Sequence, residues 1–187
     1  LNNTYGYSSD PNKEDSDDDG LNDSIEISNC FYGESNDQCT NPIVGDSDDD
    51  TLDDYVEITN CIYGESGDQC TDPLIGDSDG DGLSDWFEIT ISNSDPKDND
   101  SDNDGLTDGD EVTWRSTNPN DADSDDDGLD DFTEVNNCIY GPDSDVCTNP
   151  NNNDSDDDGI SDYEEINNCV YSETDNQCTD PQTTDSD

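Results

Sequence analysis

The tripeptide Asp-Ser-Asp opens at residues 15, 46, 77, 100, 123, 154 and 185, and a proline stands four residues before each start. These prolines are Pro11, Pro42, Pro73, Pro96, Pro119, Pro150 and Pro181. The intervals are 31, 31, 23, 23, 31 and 31 residues. A fixed period of this kind means that one small unit is built repeatedly, each copy packing on its neighbours rather than around a common centre. We therefore read residues 1–187 as a single repeat array, with six complete loops and a partial seventh. The long units exceed the short ones by an eight-residue insertion carrying a cysteine pair: Cys30/Cys39, Cys61/Cys70, Cys138/Cys147 and Cys169/Cys178.

Composition rules out the ordinary ways of folding such a chain. It holds 55 Asp plus Glu against three Lys plus Arg, a formal charge of −52, and only 25% hydrophobic residues. That balance alone predicts disorder, because the gain from burial cannot offset the entropy of ordering. Phosphate and this surface repel, so nucleic acid is excluded as a partner. No apolar stretch approaches the roughly 18 residues of a membrane span. Two rows of apolar residues recur in register. One is Leu21, Leu52, Leu83, Leu106, Leu129 and Ile160; the other is Ile27, Ile58, Ile89, Val112, Val135 and Ile166. Two anchors per unit make a thin seam between neighbours and no globular core.

The acids are placed, not scattered. The loops follow Asp-x-Asp-x-Asp-Gly-x-x-Asp-x-x-Glu, with one exception at position 6. The first loop supplies Asp15, Asp17, Asp19, Asp23 and Glu26, and the second Asp46, Asp48, Asp50, Asp54 and Glu57. The third has Asp77, Asp79, Asp81, Asp85 and Glu88, and the fourth Asp100, Asp102, Asp104, Asp108 and Glu111. The fifth has Asp123, Asp125, Asp127, Asp131 and Glu134, and the sixth Asp154, Asp156, Asp158, Asp162 and Glu165. Asp185 and Asp187 begin a seventh.

Calcium wants six to eight oxygens, and alternate carboxylates on a curling loop can face one centre. Position 7 (Leu21, Leu52, Leu83, Leu106, Leu129, Ile160) would lend its carbonyl, and the Glu at position 12 both oxygens. Glycine at position 6 permits the turn. Thr51 takes that place in the second loop, predicting a distorted or weaker site there. Magnesium prefers fewer protein ligands, and zinc would find no His and no suitable cysteine spacing. An acidic solvated coil, the usual meaning of a charge run, would not hold Gly and Glu at fixed offsets. Five acids give each loop five negative charges. One calcium ion leaves three of them and two ions leave one, so about two ions per repeat are expected.

The loop is similar to that of an EF-hand, but the residues before it, such as Asn41-Pro42-Ile43-Val44-Gly45, cannot make an entering helix. The whole unit resembles thrombospondin type 3 repeats, above all their bacterial form. Tyr5-Gly6, Ser9-Asp10-Pro11-Asn12 and Asp15-Ser16-Asp17-Asp18-Asp19-Gly20-Leu21 carry that likeness. The resemblance implies an irregular calcium-stabilised solenoid of Asp-rich loops with short helical turns and little regular secondary structure. It also implies calcium held in pairs, and a role as an extracellular spacer or in adhesion. The inserted cysteine loops depart from the bacterial pattern. They fit local staples, links between repeats or links between chains, and the uniform spacing favours closing each insertion on itself.

Catalysis has no constellation to rest on, since there is no His, no plausible free nucleophile and no Gly-rich phosphate loop. The chain is expected to be a structural calcium-binding protein, extracellular or at the cell surface. Three roles stay open: a rod or filament subunit, a spacer of a larger adhesion protein, and a glycan or receptor module. The last would act through Tyr32, Tyr63, Tyr140 and Tyr171. The sequons at Asn2, Asn22, Asn99 and Asn153 permit glycosylation. The unfinished loop at Asp185-Ser186-Asp187 and the segment 1–7 suit end-to-end self-association, or else the chain is an excerpt of a longer array.

Overall fold

The computed structural model describes residues 9–28, 39–59, 70–136, 147–167, 170–172, 175–177, 181–182 and 184. The chain divides into two compact units, Leu1–Asn99 with the first three loops and Asp100–Asp187 with the next three. Both are built from the same repeat, an irregular solenoid unit with little regular secondary structure.

Each repeat opens on a proline turn. In Asp10–Lys13 the Lys13 N–H donates to the Asp10 carbonyl at 3.0 Å, and Asn41–Val44, Asp72–Ile75, Asp95–Asp98, Asn118–Asp121 and Asn149–Asn152 repeat the bond. Proline presets the second turn position, and the Asp or Asn before it accepts a further N–H, as Asp10 does from Asn12 at 2.9 Å. Pro42, Pro96 and Pro181 are fully buried, so these turns are packing elements as well as breaks.

The acidic loop follows and closes on itself. The N–H of Asp54 donates to the carbonyl of Gly45 at 2.9 Å, and Asp23, Asp85, Asp131 and Asp162 close their loops in the same way. A short helix starts there: α1 Asp23–Ser28, α2 Asp54–Thr59, α3 Asp85–Phe87, α4 Asp108–Asp110, α5 Asp131–Asn136 and α6 Asp162–Asn167. Position 8 explains the start, because it is always an N-capping residue type. Ser84 accepts from the Phe87 N–H at 3.3 Å, Thr107 from Asp110 at 3.2 Å and Asp130 from Thr133 at 2.6 Å. In the short repeats the helix widens into a π-helical turn, Glu88–Ser92 or Glu111–Arg115. Each of these ends at a left-handed residue, Asn93 or Ser116. In the sixth repeat, β1 Val170–Ser172 pairs antiparallel with β2 Asp175–Gln177, Tyr171 lying opposite Asn176.

The position-7 leucines Leu21, Leu52, Leu83, Leu106 and Leu129 are buried, as expected, while Ile160 and the second apolar row are half-buried. The residues least exposed are acids: Asp54, Asp85, Asp108, Asp131, Asp162, Glu88 and Glu111 are fully buried. Within the first unit consecutive repeats approach closely at two glycines. A Cβ on Gly45 would stand 2.7 Å from the Asp19 Cβ, and one on Gly76 2.7 Å from the Asp50 Cβ.

Cys39, Cys70 and Cys147 are disulfide-bonded, and no described cysteine is free. Their sulfurs sit 3.8, 3.9 and 4.0 Å from the carbonyls of Ile27, Ile58 and Val135, so the three cysteines occupy equivalent places. Cys30, Cys61, Cys138, Cys169 and Cys178 lie outside the described residues, as do Tyr32, Tyr63 and Tyr140. So do residues 1–7 and 185–187, on which the end-to-end contact was expected to rest. Among the described residues no helix is long and apolar enough to cross a membrane.

Candidate metal centre

Two backbone features curl each loop. Position 6 has positive φ, from 88° at Thr51 to 108° at Gly20. Its N–H donates to the position-1 carboxylate: Gly20 to Asp15 at 3.1 Å, Gly105 to Asp100 at 3.1 Å and Gly128 to Asp123 at 2.8 Å. Thr51 keeps this bond to Asp46 at 3.0 Å, so the second loop retains the common path despite its β-branched residue. Position 4 is left-handed too, at Asp18, Asp49, Gly80, Asn103, Asp126 and Asp157. Asp, Asn and Gly are the residues that tolerate that region best.

The curl brings acids at positions 1, 3 and 5 together. One carboxylate oxygen from each lies within 4.8 Å of the others in Asp15/Asp17/Asp19, Asp46/Asp48/Asp50, Asp77/Asp79/Asp81 and Asp100/Asp102/Asp104. In the fifth and sixth loops burial, and then the charges of their loop neighbours, raise the carboxyls of Asp125 and Asp156. The position-12 glutamate joins from the helix. Burial is the first cause of its raised pKa, and repulsion from positions 3 and 5 adds to it. Glu26 and Glu111 stand at about 8, and Glu57 and Glu88 at about 9.

The expected position-9 aspartate behaves differently. In every described loop its two oxygens are held by the serine at position 2 of the same loop. Ser47 gives Asp54 its N–H and its hydroxyl, both at 2.7 Å, and Ser16, Ser78, Ser101, Ser124 and Ser155 do likewise for their partners. Asp54 is also grouped with Asp19 and Glu26 of the preceding loop, again within 4.8 Å. Position 9 thus braces its own loop, and at Asp54 it also faces the loop before it.

Sequence reasoning missed a second partner. In four repeats the Thr or Ser before the Asn-Pro or Asp-Pro pair is buried and donates to the position-12 glutamate: Thr40 to Glu26 at 3.4 Å, Thr71 to Glu57 at 3.0 Å, Ser94 to Glu88 at 3.2 Å and Thr117 to Glu111 at 3.0 Å. The recurring hydroxyl in that motif was the available signal.

These bonds leave carboxylate oxygens bare in loop after loop. Glu26, Glu57, Glu88 and Glu111 each keep Oε2 buried without a hydrogen-bond partner, and Asp17, Asp48, Asp102, Asp125 and Asp156 keep Oδ2 so. Burying an unpaired carboxylate is strongly unfavourable. The three basic residues of the whole chain cannot neutralise six such sets. Lys13 is spent on Asp18 at the surface, 2.7 Å away. Hard oxygen donors converging without counter-charge fit a hard divalent cation, and calcium accepts the number of oxygens on offer.

Comparison with known proteins agrees with this chemistry. The model of the bacterial TSP3 repeat matches residues 77–99, 100–122 and 154–168. No curated protein matches the chain. Among solved structures, "Biofilm associated protein - B domain" is 47% identical over 24% of this chain and 11% of that one, with a TM-score of 0.24. "Biofilm associated protein - BSP domain" is 49% identical over 23% of this chain and 7% of that one, with a TM-score of 0.23. The chain therefore spans only a small part of either. The three matched segments, residues 77–99, 100–122 and 154–168, are similar to the bacterial TSP3 repeat, a calcium-binding type of repeat, and the same acid clusters recur in the other loops.

Proposed function

We propose that this chain is a calcium-binding structural segment of an extracellular or cell-surface protein, with a mechanical rather than catalytic role. The observation that carries the reading is the set of buried, unpartnered carboxylate oxygens repeated from loop to loop, Glu26 Oε2 to Glu111 Oε2. Protonation relieves single glutamates, but a divalent cation neutralises a whole set of carboxylates at once, so ion binding supplies most of the folding free energy. The ligands are positions 1, 3, 5 and 12 of each loop, with position 9 of the next loop joining at the junction as Asp54 joins Asp19 and Glu26. Two ions per complete loop are supported by two clusters that share Asp19, namely Asp15/Asp17/Asp19 and Asp19/Glu26/Asp54. A chain ordered in this way is stiff where calcium is plentiful and slack where it is not, which suits a spacer or stalk in adhesion.

Native mass spectrometry counts the ions, and small-angle scattering with and without chelator reads the ordering. Extracellular calcium modules often bind at ~10⁻⁴–10⁻³ M, so millimolar calcium should saturate the chain. A protein that took up no calcium at that level, or stayed equally compact after chelation and disulfide reduction, would end the proposal.

A further inference from the structure

Position 10 of the loop pattern has no ligand role, yet it is Tyr55, Trp86, Phe132 and Tyr163 in four loops and Ser24 and Gly109 in the other two. The aromatic residues reach back to the preceding repeat in two ways. Three of the rings, those of Tyr55, Phe132 and Tyr163, cover the position-6 glycine of the loop before. A Cβ on Gly105 would lie 3.2 Å from the Phe132 ring, one on Gly128 3.1 Å from Tyr163, and one on Gly20 3.2 Å from Tyr55. Their backbone N–H groups also reach the position-5 carboxylate of that loop. Phe132 donates to Asp104 Oδ2 at 3.0 Å, Tyr163 to Asp127 Oδ2 at 2.8 Å and Trp86 to Asp50 Oδ2 at 3.0 Å. The other oxygen of each carboxylate takes an N–H of its own loop: Leu106 to Asp104 at 2.6 Å, Leu129 to Asp127 at 2.8 Å and Leu52 to Asp50 at 2.7 Å.

From this geometry we infer that Phe132 and Tyr163 are positioning residues for the calcium loop of the preceding repeat, an inference that rests on the calcium reading above. Asp104 is fixed in plane by two N–H groups, one local and one from the next repeat. The turn at Gly105, beside it, is roofed by the ring of the same residue. Orienting a ligand before the ion arrives removes ordering cost from binding, as outer partners do at other metal sites. Each repeat therefore sets the affinity of the one before it within its unit. The choice between an aromatic and a small residue at position 10 records which loops receive this support.

The test follows the amides of Gly105 and Gly20 by nuclear magnetic resonance during calcium titration of the full chain, with disulfides intact. Phe132→Ala keeps the N–H and removes the ring. It should raise the calcium needed to half-saturate Gly105 by about tenfold, within the usual range of coupling between sites. Gly20, in the other unit, should not move, and Phe132→Tyr should restore the wild-type response. An unchanged Gly105 titration, or an equal loss at Gly105 and Gly20, would overturn the positioning role while leaving calcium binding intact. Wild-type glycine amides that ignore calcium would overturn both.

Discussion

Ser124 donates its backbone N–H and its hydroxyl to the carboxylate of Asp131, at 2.9 and 2.6 Å, and that carboxylate is fully buried. The hydroxyl also accepts the N–H of Asn118 at 2.9 Å, which ties the loop to the proline turn before it. Ser124→Ala leaves one oxygen of a buried charge unsatisfied. A hydrogen bond to a charged group is worth roughly 1.5–3 kcal/mol, and urea unfolding in saturating calcium should show a loss of that order. A variant as stable as the parent would show that the brace contributes nothing.

Thr51 sits at φ 88°, where the corresponding residues Gly20, Gly82, Gly105, Gly128 and Gly159 carry no Cβ. A β-branched residue held there stores strain of about 1–3 kcal/mol. Thr51→Gly should therefore stabilise the chain by about 1 kcal/mol, less than the strain because glycine is freer when unfolded. Calorimetry of the two proteins in calcium decides it. A drop in melting temperature would mean that the Thr51 side chain makes up for its own strain.

In calcium-free protein, burial and then repulsion by neighbouring aspartates raise Glu57 and Glu88 to about 9 and Glu26 to about 8, from an ordinary 4.5. A folded-state pKa above the unfolded one means that the folded chain holds more protons. The resulting stability is fully present below pH 4.5 and is lost as pH rises towards 9. Chelated protein should thus weaken from pH 5 to pH 9. Calcium replaces those protons, so its affinity should rise over the same window. Urea midpoints and calcium titrations at pH 5, 7 and 9 would show both trends. A chelated chain that grew more stable with pH would contradict the burial of these glutamates.

Disulfide-bonded Cys39, Cys70 and Cys147 stand in equivalent places, each against the carbonyl twelve residues earlier. The identical spacings lead us to expect Cys30–Cys39, Cys61–Cys70, Cys138–Cys147 and Cys169–Cys178. Closing loops this short stabilises by roughly 3 kcal/mol each in the chain-entropy view. Peptide mapping without reduction should return these four links. A peptide joining Cys39 to Cys61 would replace the local scheme with one that links repeats.

The period, the clustering of the acids at positions 1, 3 and 5, the glycine turn and the buried Leu21-to-Leu129 row could all be read from the sequence. Each depends on neighbours a few residues away, and spacing alone then determines which side chains share a face of the loop. What needed three dimensions is the work of residues whose partners come from further off. Asp54 has the spacing of a ligand in its own loop, yet Ser47 holds both its oxygens and it faces Asp19 and Glu26 across the junction. Thr71 lies outside the loop pattern, and its hydroxyl reaches Glu57, fourteen residues earlier in the chain. Phe132 has no place in the ligand pattern or in either apolar row, yet its ring roofs Gly105 and its N–H holds Asp104 of the repeat before. A short polar repeat encodes its own curl, because that is local chemistry. Which oxygens remain free for an ion is decided only when one repeat lies against the next, since hydrogen bonds across that junction satisfy the others.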